Sequence, residues 1–124
     1  IGDDVLRSLY AIADLTVVPS IYEPFGLVAL EAMASGCPVI VADTGGLREV
    51  VPDELAGLRF RPRDPAALAA VAIRVLSDPD LEARLVAEAH EHVRRFDWAD
   101  IAAQTAEVYA DLTTANPAAT AIRR

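Results

Sequence analysis

Apolar residues recur along the chain in two periods, one helical and one continuous. Val5, Leu6, Leu9, Ile12 and Ala13 fall at helical spacing behind Asp3 and Asp4, which suit the positive end of a helix, and predict a first helix over residues 3 to 13. Leu15 to Val18 is a short apolar run stopped by Pro19-Ser20, the pattern of a strand buried on both faces of a parallel sheet. A loop follows, Pro19 to Phe25. The helix-forming stretch LVALEAMAS, with Gly36 placed for a left-handed cap, predicts a second helix over 26 to 35. Pro38 to Ala42 reads as the next buried strand, with proline tolerated at its first residue. Asp43 to Gly46 reads as a turn, Leu47 to Val51 as a short helix and Gly57 to Arg61 as a third strand. Asp64-Pro65 and Asp78-Pro79 each supply a cap and a first-turn proline, predicting helices over 65 to 76 and 79 to 95. Asp97 caps a last amphipathic helix carrying Ile101, Ala102, Thr105, Val108, Tyr109 and Leu112.

Strands alternating with helices through short connections argue an α/β fold: a Rossmann-like, three-layer arrangement, with a parallel sheet and helices on both faces. Three strands are few for such a sheet, and the helical pattern is already under way at Ile1 without an initiator methionine. The expectation is therefore a partial domain over residues 1 to 112, truncated at its N-terminus, with a flexible tail over 113 to 124. An incomplete sheet leaves a strand edge open, which favours a homo-oligomer paired through that edge.

Composition narrows the function classes. At 53% hydrophobic the chain folds rather than staying disordered, and a formal net charge of -8 argues against a general nucleic-acid surface. The single cysteine, Cys37, cannot form an internal disulfide and reads as a small buried residue. With no leader pattern and no apolar run near the length of a membrane span, a cytoplasmic setting is the expectation.

Ligands of open α/β sheets bind outside the carboxyl ends of the strands, so the chemistry is sought in Pro19 to Phe25 and Asp43 to Gly46. The first loop holds Glu23, and seven intervening residues separate it from Glu31 inside the second helix. Gly26 allows close approach of a ligand to the backbone, and the amides of Gly26, Leu27 and Val28 are the unpaired donors at a helix start, where a pyrophosphate is favoured. Gly45-Gly46 fits a tight turn and a ligand contact equally well. Paired carboxylates also suit a glycoside hydrolase, but a helix-embedded Glu31 fits poorly with two groups flanking one bond. Asp78-Pro79-Asp80 has the form of a metal-binding Asp-x-Asp, yet it repeats the Asp64 capping device. His90 and His92 lack the spacing of two ligands on one helix face and read as solvated.

The stretch PSxxEPFGLVxLEAMAxGxPVI, followed by GGLxEVV, then GLRFRPRDPAALA and a final FDW, resembles the C-terminal donor-binding domain of family 4-like retaining GT-B glycosyltransferases, the glycosyl transferases group 1. The resemblance covers nearly the whole chain. It implies a catalytic and sugar-contacting Glu23 and a ribose-holding Glu31, with backbone amides of Phe25, Gly26, Leu27 and Val28 on sugar and phosphate. It further implies transfer of a hexosyl unit from a nucleoside-diphosphate sugar to an acceptor, with no metal or other cofactor. The N-terminal acceptor domain and the basic pair that grips the pyrophosphate lie outside the chain, so the chain alone is expected to be inactive. Two rival readings are a sugar-nucleotide epimerase of the same architecture and a non-catalytic binding module.

Overall fold

The computed structural model describes residues 2 to 115, with side chains described as far as Leu112. The chain divides after Val93 into two units.

The first unit contains helix α1 (Asp3–Ile12), strand β1 (Thr16–Val18), α2 (Leu27–Ala34), β2 (Val39–Ala42), α3 (Gly45–Val50), β3 (Leu58–Phe60), α4 (Pro65–Leu76) and α5 (Pro79–Val93). The three strands form one parallel sheet in the order β1-β2-β3, with Val18 opposite Val41 and Ile40 opposite Leu58. Each parallel connection runs through a helix, as parallel pairing requires. The architecture is the expected Rossmann-like α/β arrangement.

Alternation along β2 distributes its four buried residues between two faces. Ile40 and Ala42, with their partners Leu58 and Phe60, join Val75 of α4 and Leu81 and Leu85 of α5 in one apolar cluster. Val39 and Val41 face the other way, where α2 packs against β1 and β2 through a side that buries Ala29, Leu30, Ala32 and Met33. Burying a leucine-sized side chain contributes about 1.5–3 kcal/mol, so these two layers supply the driving force for the unit.

Local chemistry sets the boundaries. Asp64 accepts the Ala67 amide at 2.9 Å and Asp78 the Leu81 amide at 3.0 Å, each ahead of a first-turn proline. Asp78 is thus a cap, as expected. α2 closes with Gly36 at φ +78, the Gly36 amide on the Met33 carbonyl and the Cys37 amide on the Ala32 carbonyl, the paired bonds of a left-handed terminus.

Three expectations need correction. β1 is not buried on both faces: Val18 is buried, but Val17 is 39% exposed, because β1 is an edge of the sheet and the α4–α5 cluster is centred on β2 and β3. α3 starts at Gly45 rather than Leu47, since Thr44 is extended and its carbonyl accepts the Arg48 amide, drawing both glycines into the first turn. His92 is not simply solvated, for its Nε2 lies 2.8 Å from the Val50 carbonyl oxygen.

The second unit comprises a 3-10 turn, Arg94–Phe96, and α6 (Trp98–Ala115). Asp97 precedes α6 and accepts the Ala99 amide at 2.8 Å. From residue 116 onward the expected tail lies outside the described residues. Among the described residues no helix is long and apolar enough to cross a membrane.

Candidate donor site

The carboxyl ends of β1 and β2 open into two loops that are fastened to each other. The Thr44 hydroxyl donates to the Ser20 carbonyl at 2.9 Å, and the Gly46 amide donates to the Glu23 carbonyl at 2.9 Å. Together these bonds hold the segment Ser20 to Phe25 over the first turn of α3. Glu23 is partly buried there, and its carboxylate receives the Phe25 amide at 3.5 Å.

Gly26 turns the chain into α2. Its φ of +110 is a conformation that L side chains rarely adopt, and a Cβ at this position would lie 2.9 Å from Leu47 Cδ2. Its carbonyl already accepts the amides of Ala29 and Leu30. The amides of Gly26, Leu27 and Val28 therefore come before the first intrahelical bonds, at the positive end of the helix.

The outward stripe of α2 is unusual. Leu27, Val28, Glu31 and Ala34 are exposed, with Leu27, Glu31 and Ala34 one helical turn apart along one side, and the helix carries no charge other than Glu31. Leu27 and Val28 are 53% and 46% exposed. A polar residue would serve an uncovered surface better, so this stripe is suited to being covered.

Glu31 forms one wall of a cleft of about 440 Å³ between α1 and α2, with Asp3, Arg7, Tyr10 and Ser35 also lining it. The Tyr10 hydroxyl points to the Glu31 carboxylate at 3.5 Å. The Tyr10 phenol is held above its ordinary value, first by burial and then by the adjacent Glu31 charge. The cleft thus combines carboxylates, a guanidinium, a phenol and a hydroxyl.

The structure places all six expected positions, Glu23, Phe25, Gly26, Leu27, Val28 and Glu31, on one continuous segment from the β1 loop to the outer face of α2. Sequence reading missed Asp3, Arg7 and Tyr10. Their spacing of four and three puts them on one side of α1, but nothing local indicated that this side faces Glu31. The Arg48 guanidinium is engaged by Asp43 at 2.8 and 3.2 Å.

A family model described as glycosyl transferases group 1 matches residues 1 to 92. The chain belongs to that family. The D-inositol 3-phosphate glycosyltransferase of Thermobispora bispora is 48% identical over 106 residues, covering 86% of this chain and 25% of that protein. Among solved structures, the sucrose-phosphate synthase (tll1590) of Thermosynechococcus elongatus superposes with a TM-score of 0.83 at 44% identity, covering 93% of this chain and 29% of that one. Anabaena Alr3699/HepE, solved in complex with UDP-glucose, superposes with a TM-score of 0.77 at 33% identity, over 83% of this chain and 29% of its own. This group 1 glycosyltransferase chain therefore spans between a quarter and three-tenths of the length of these relatives.

Proposed function

We propose that this chain is the donor-binding part of a two-domain, GT-B-type retaining glycosyltransferase that moves a hexosyl unit from a nucleoside-diphosphate sugar to an acceptor. The observation that carries the reading is the continuous run of Glu23, the helix-start amides of Gly26 to Val28, and Glu31 above its cleft. In that order they offer a carboxylate for sugar hydroxyls, donors for a pyrophosphate, and a carboxylate for ribose hydroxyls. The UDP-glucose complex of Anabaena HepE supports the choice of ligand class.

In this reading the amides act as the leaving group forms, when negative charge accumulates on the departing phosphate. Donors fixed by the fold stabilise that charge without reorganising, which favours the transition state over the ground state. Positive charge builds at the anomeric carbon at the same time, and Glu23 orients the sugar through it. Glu31 binds the ribose equally before and during transfer. The acceptor and the remaining cationic grip on the pyrophosphate come from the rest of the enzyme.

An epimerase of the same architecture would bind the same ligand, and steady-state kinetics on the two-domain enzyme test the division of labour. Glu31→Gln raises the donor KM, and Glu23→Gln lowers kcat, each by about ten- to a hundredfold, because a charge-assisted hydrogen bond contributes roughly 1.5–3 kcal/mol. Both variants keep the wild-type melting temperature, since neither carboxylate lies in the apolar core. A folded Glu23→Gln enzyme with undiminished turnover contradicts the role given to Glu23.

A further inference from the structure

The glycine pair at the start of α3 meets the Glu23 loop through backbone alone. A Cβ on Gly45 would stand 2.6 Å from the Glu23 carbonyl oxygen, and one on Gly46 would stand 2.5 Å from the Phe25 Cα and collide with the Pro24 carbonyl oxygen. Gly45 also has a φ of +40. These separations are too short for any side chain, so the loop rests directly on the helix turn, drawn in by the bond from the Gly46 amide to the Glu23 carbonyl. Leu47, the next residue, is fully buried and closes against Gly26. Three successive residues of α3 thus touch Glu23, Pro24, Phe25 and Gly26 in order.

We infer that Gly45, Gly46 and Thr44 are positioning residues for the donor sugar: they fix the height of the Glu23 loop above β2 and thereby aim the Glu23 carboxylate. The inference rests on the donor-site reading above and goes beyond it, by giving the second loop a role in discriminating sugar-bearing from sugar-free nucleotide. α3 is only six residues long and holds the loop through amide and carbonyl contacts, so its part is support and not phosphate binding. Glu31 lies on α2, beyond the supported segment, so the platform affects the sugar end of the ligand more than the ribose end. A methyl group at Gly46 lifts Pro24 and Phe25 and carries Glu23 with them.

The test measures dissociation constants of the 124-residue chain for UDP-glucose and UDP by NMR titration, with thermal melts alongside. Gly46→Ala raises the UDP-glucose constant about tenfold more than the UDP constant, the size expected for losing one charge-assisted hydrogen bond. Gly57→Ala is the control: a Cβ there would lie 2.6 Å from Val51 Cγ1 and 2.8 Å from the Val39 carbonyl oxygen, a comparable clash away from the site. It lowers the melting temperature and leaves the ratio of the two constants unchanged. Thr44→Val, which removes only the bond to Ser20, shifts the ratio in the same direction by at least about twofold, and decides the matter if Gly46→Ala does not fold. Equal weakening of both nucleotides by Gly46→Ala, or an unchanged ratio in Thr44→Val, overturns the inference. A wild-type chain that binds neither nucleotide overturns instead the donor-site reading beneath it.

Discussion

Tyr10 and Glu31 meet across two helices, hydroxyl to carboxylate at 3.5 Å, and the phenol is held above its ordinary value of 10.0 by burial first and by the Glu31 charge second. A tyrosine whose folded pKa is raised contributes stability that is fully present below the unfolded pKa and is lost as pH rises through the folded one. The expected outcome is an alkaline fall in stability above about pH 10 that Tyr10→Phe reduces. Tyrosinate absorbance resolves the cause. In Glu31→Gln the Tyr10 midpoint falls but stays above the ordinary value, because burial remains. A midpoint unmoved by Glu31→Gln contradicts the contact.

The acid limb has a different source. Glu54 sits at φ +62 in the loop before β3, its carboxylate paired with the Arg74 guanidinium at 2.5 and 2.8 Å and its carbonyl accepting Arg84 at 2.8 Å. The Arg74 hydrogen bond holds its carboxyl below the usual range. Such a group adds stability above the unfolded pKa that disappears as pH falls through the folded one. Both partners are about half exposed, so Glu54→Gln costs at most about 1 kcal/mol at neutral pH, and the deficit closes as the pH falls below the ordinary carboxylate range. Denaturant unfolding at neutral and acidic pH checks this.

Much of the fold was legible because its signals are local. The Asp-Pro pairs at 64 and 78 and Gly36 after LVALEAMAS each mark a helix end by a hydrogen bond or a backbone angle available only there. The burial of β1 was not legible, since an apolar run states that a strand can be covered and not whether a layer covers it. The site divides along the same line. Glu23 to Glu31 could be read as one contiguous motif, whereas Tyr10 and Arg7 reach Glu31 only through the packing of α1 on α2, a long-range event. The duties of Gly45 and Gly46 stayed open for the same reason: their neighbours are some twenty residues away in sequence.

Two-domain action has a consequence for the chain by itself. If the acceptor side and the cationic phosphate grip lie elsewhere, as proposed, the expected outcome is no measurable sugar transfer by the 124-residue protein. The expected binding of UDP-glucose is weak and equal with Mg²⁺ or with EDTA, since the proposed contacts are backbone amides and two carboxylates. Turnover by the purified chain, with contaminants excluded, or a strict metal requirement in calorimetry, contradicts the respective claim.

The open edge at β1 carries a separate expectation. Val17 is exposed on a strand that, among the described residues, pairs on one side only, and such edges recruit further strands. The expected outcome is self-association as concentration rises, suppressed by Val17→Lys, a charge on the edge. A monodisperse monomer in light scattering at high concentration contradicts it.

The central claim is that one segment, from Glu23 through Glu31, receives a nucleoside-diphosphate sugar, and mapping amide shifts of the isotope-labelled chain during titration with UDP-glucose tests it most directly. The account predicts that the amides of Glu23 and of Phe25 to Val28 move together with those of Tyr10, Glu31 and Ser35, while the helix-capping residues Asp64 and Asp78 remain still. Saturable shifts centred elsewhere in the first unit, or no shift at millimolar nucleotide sugar in a folded chain, would contradict it.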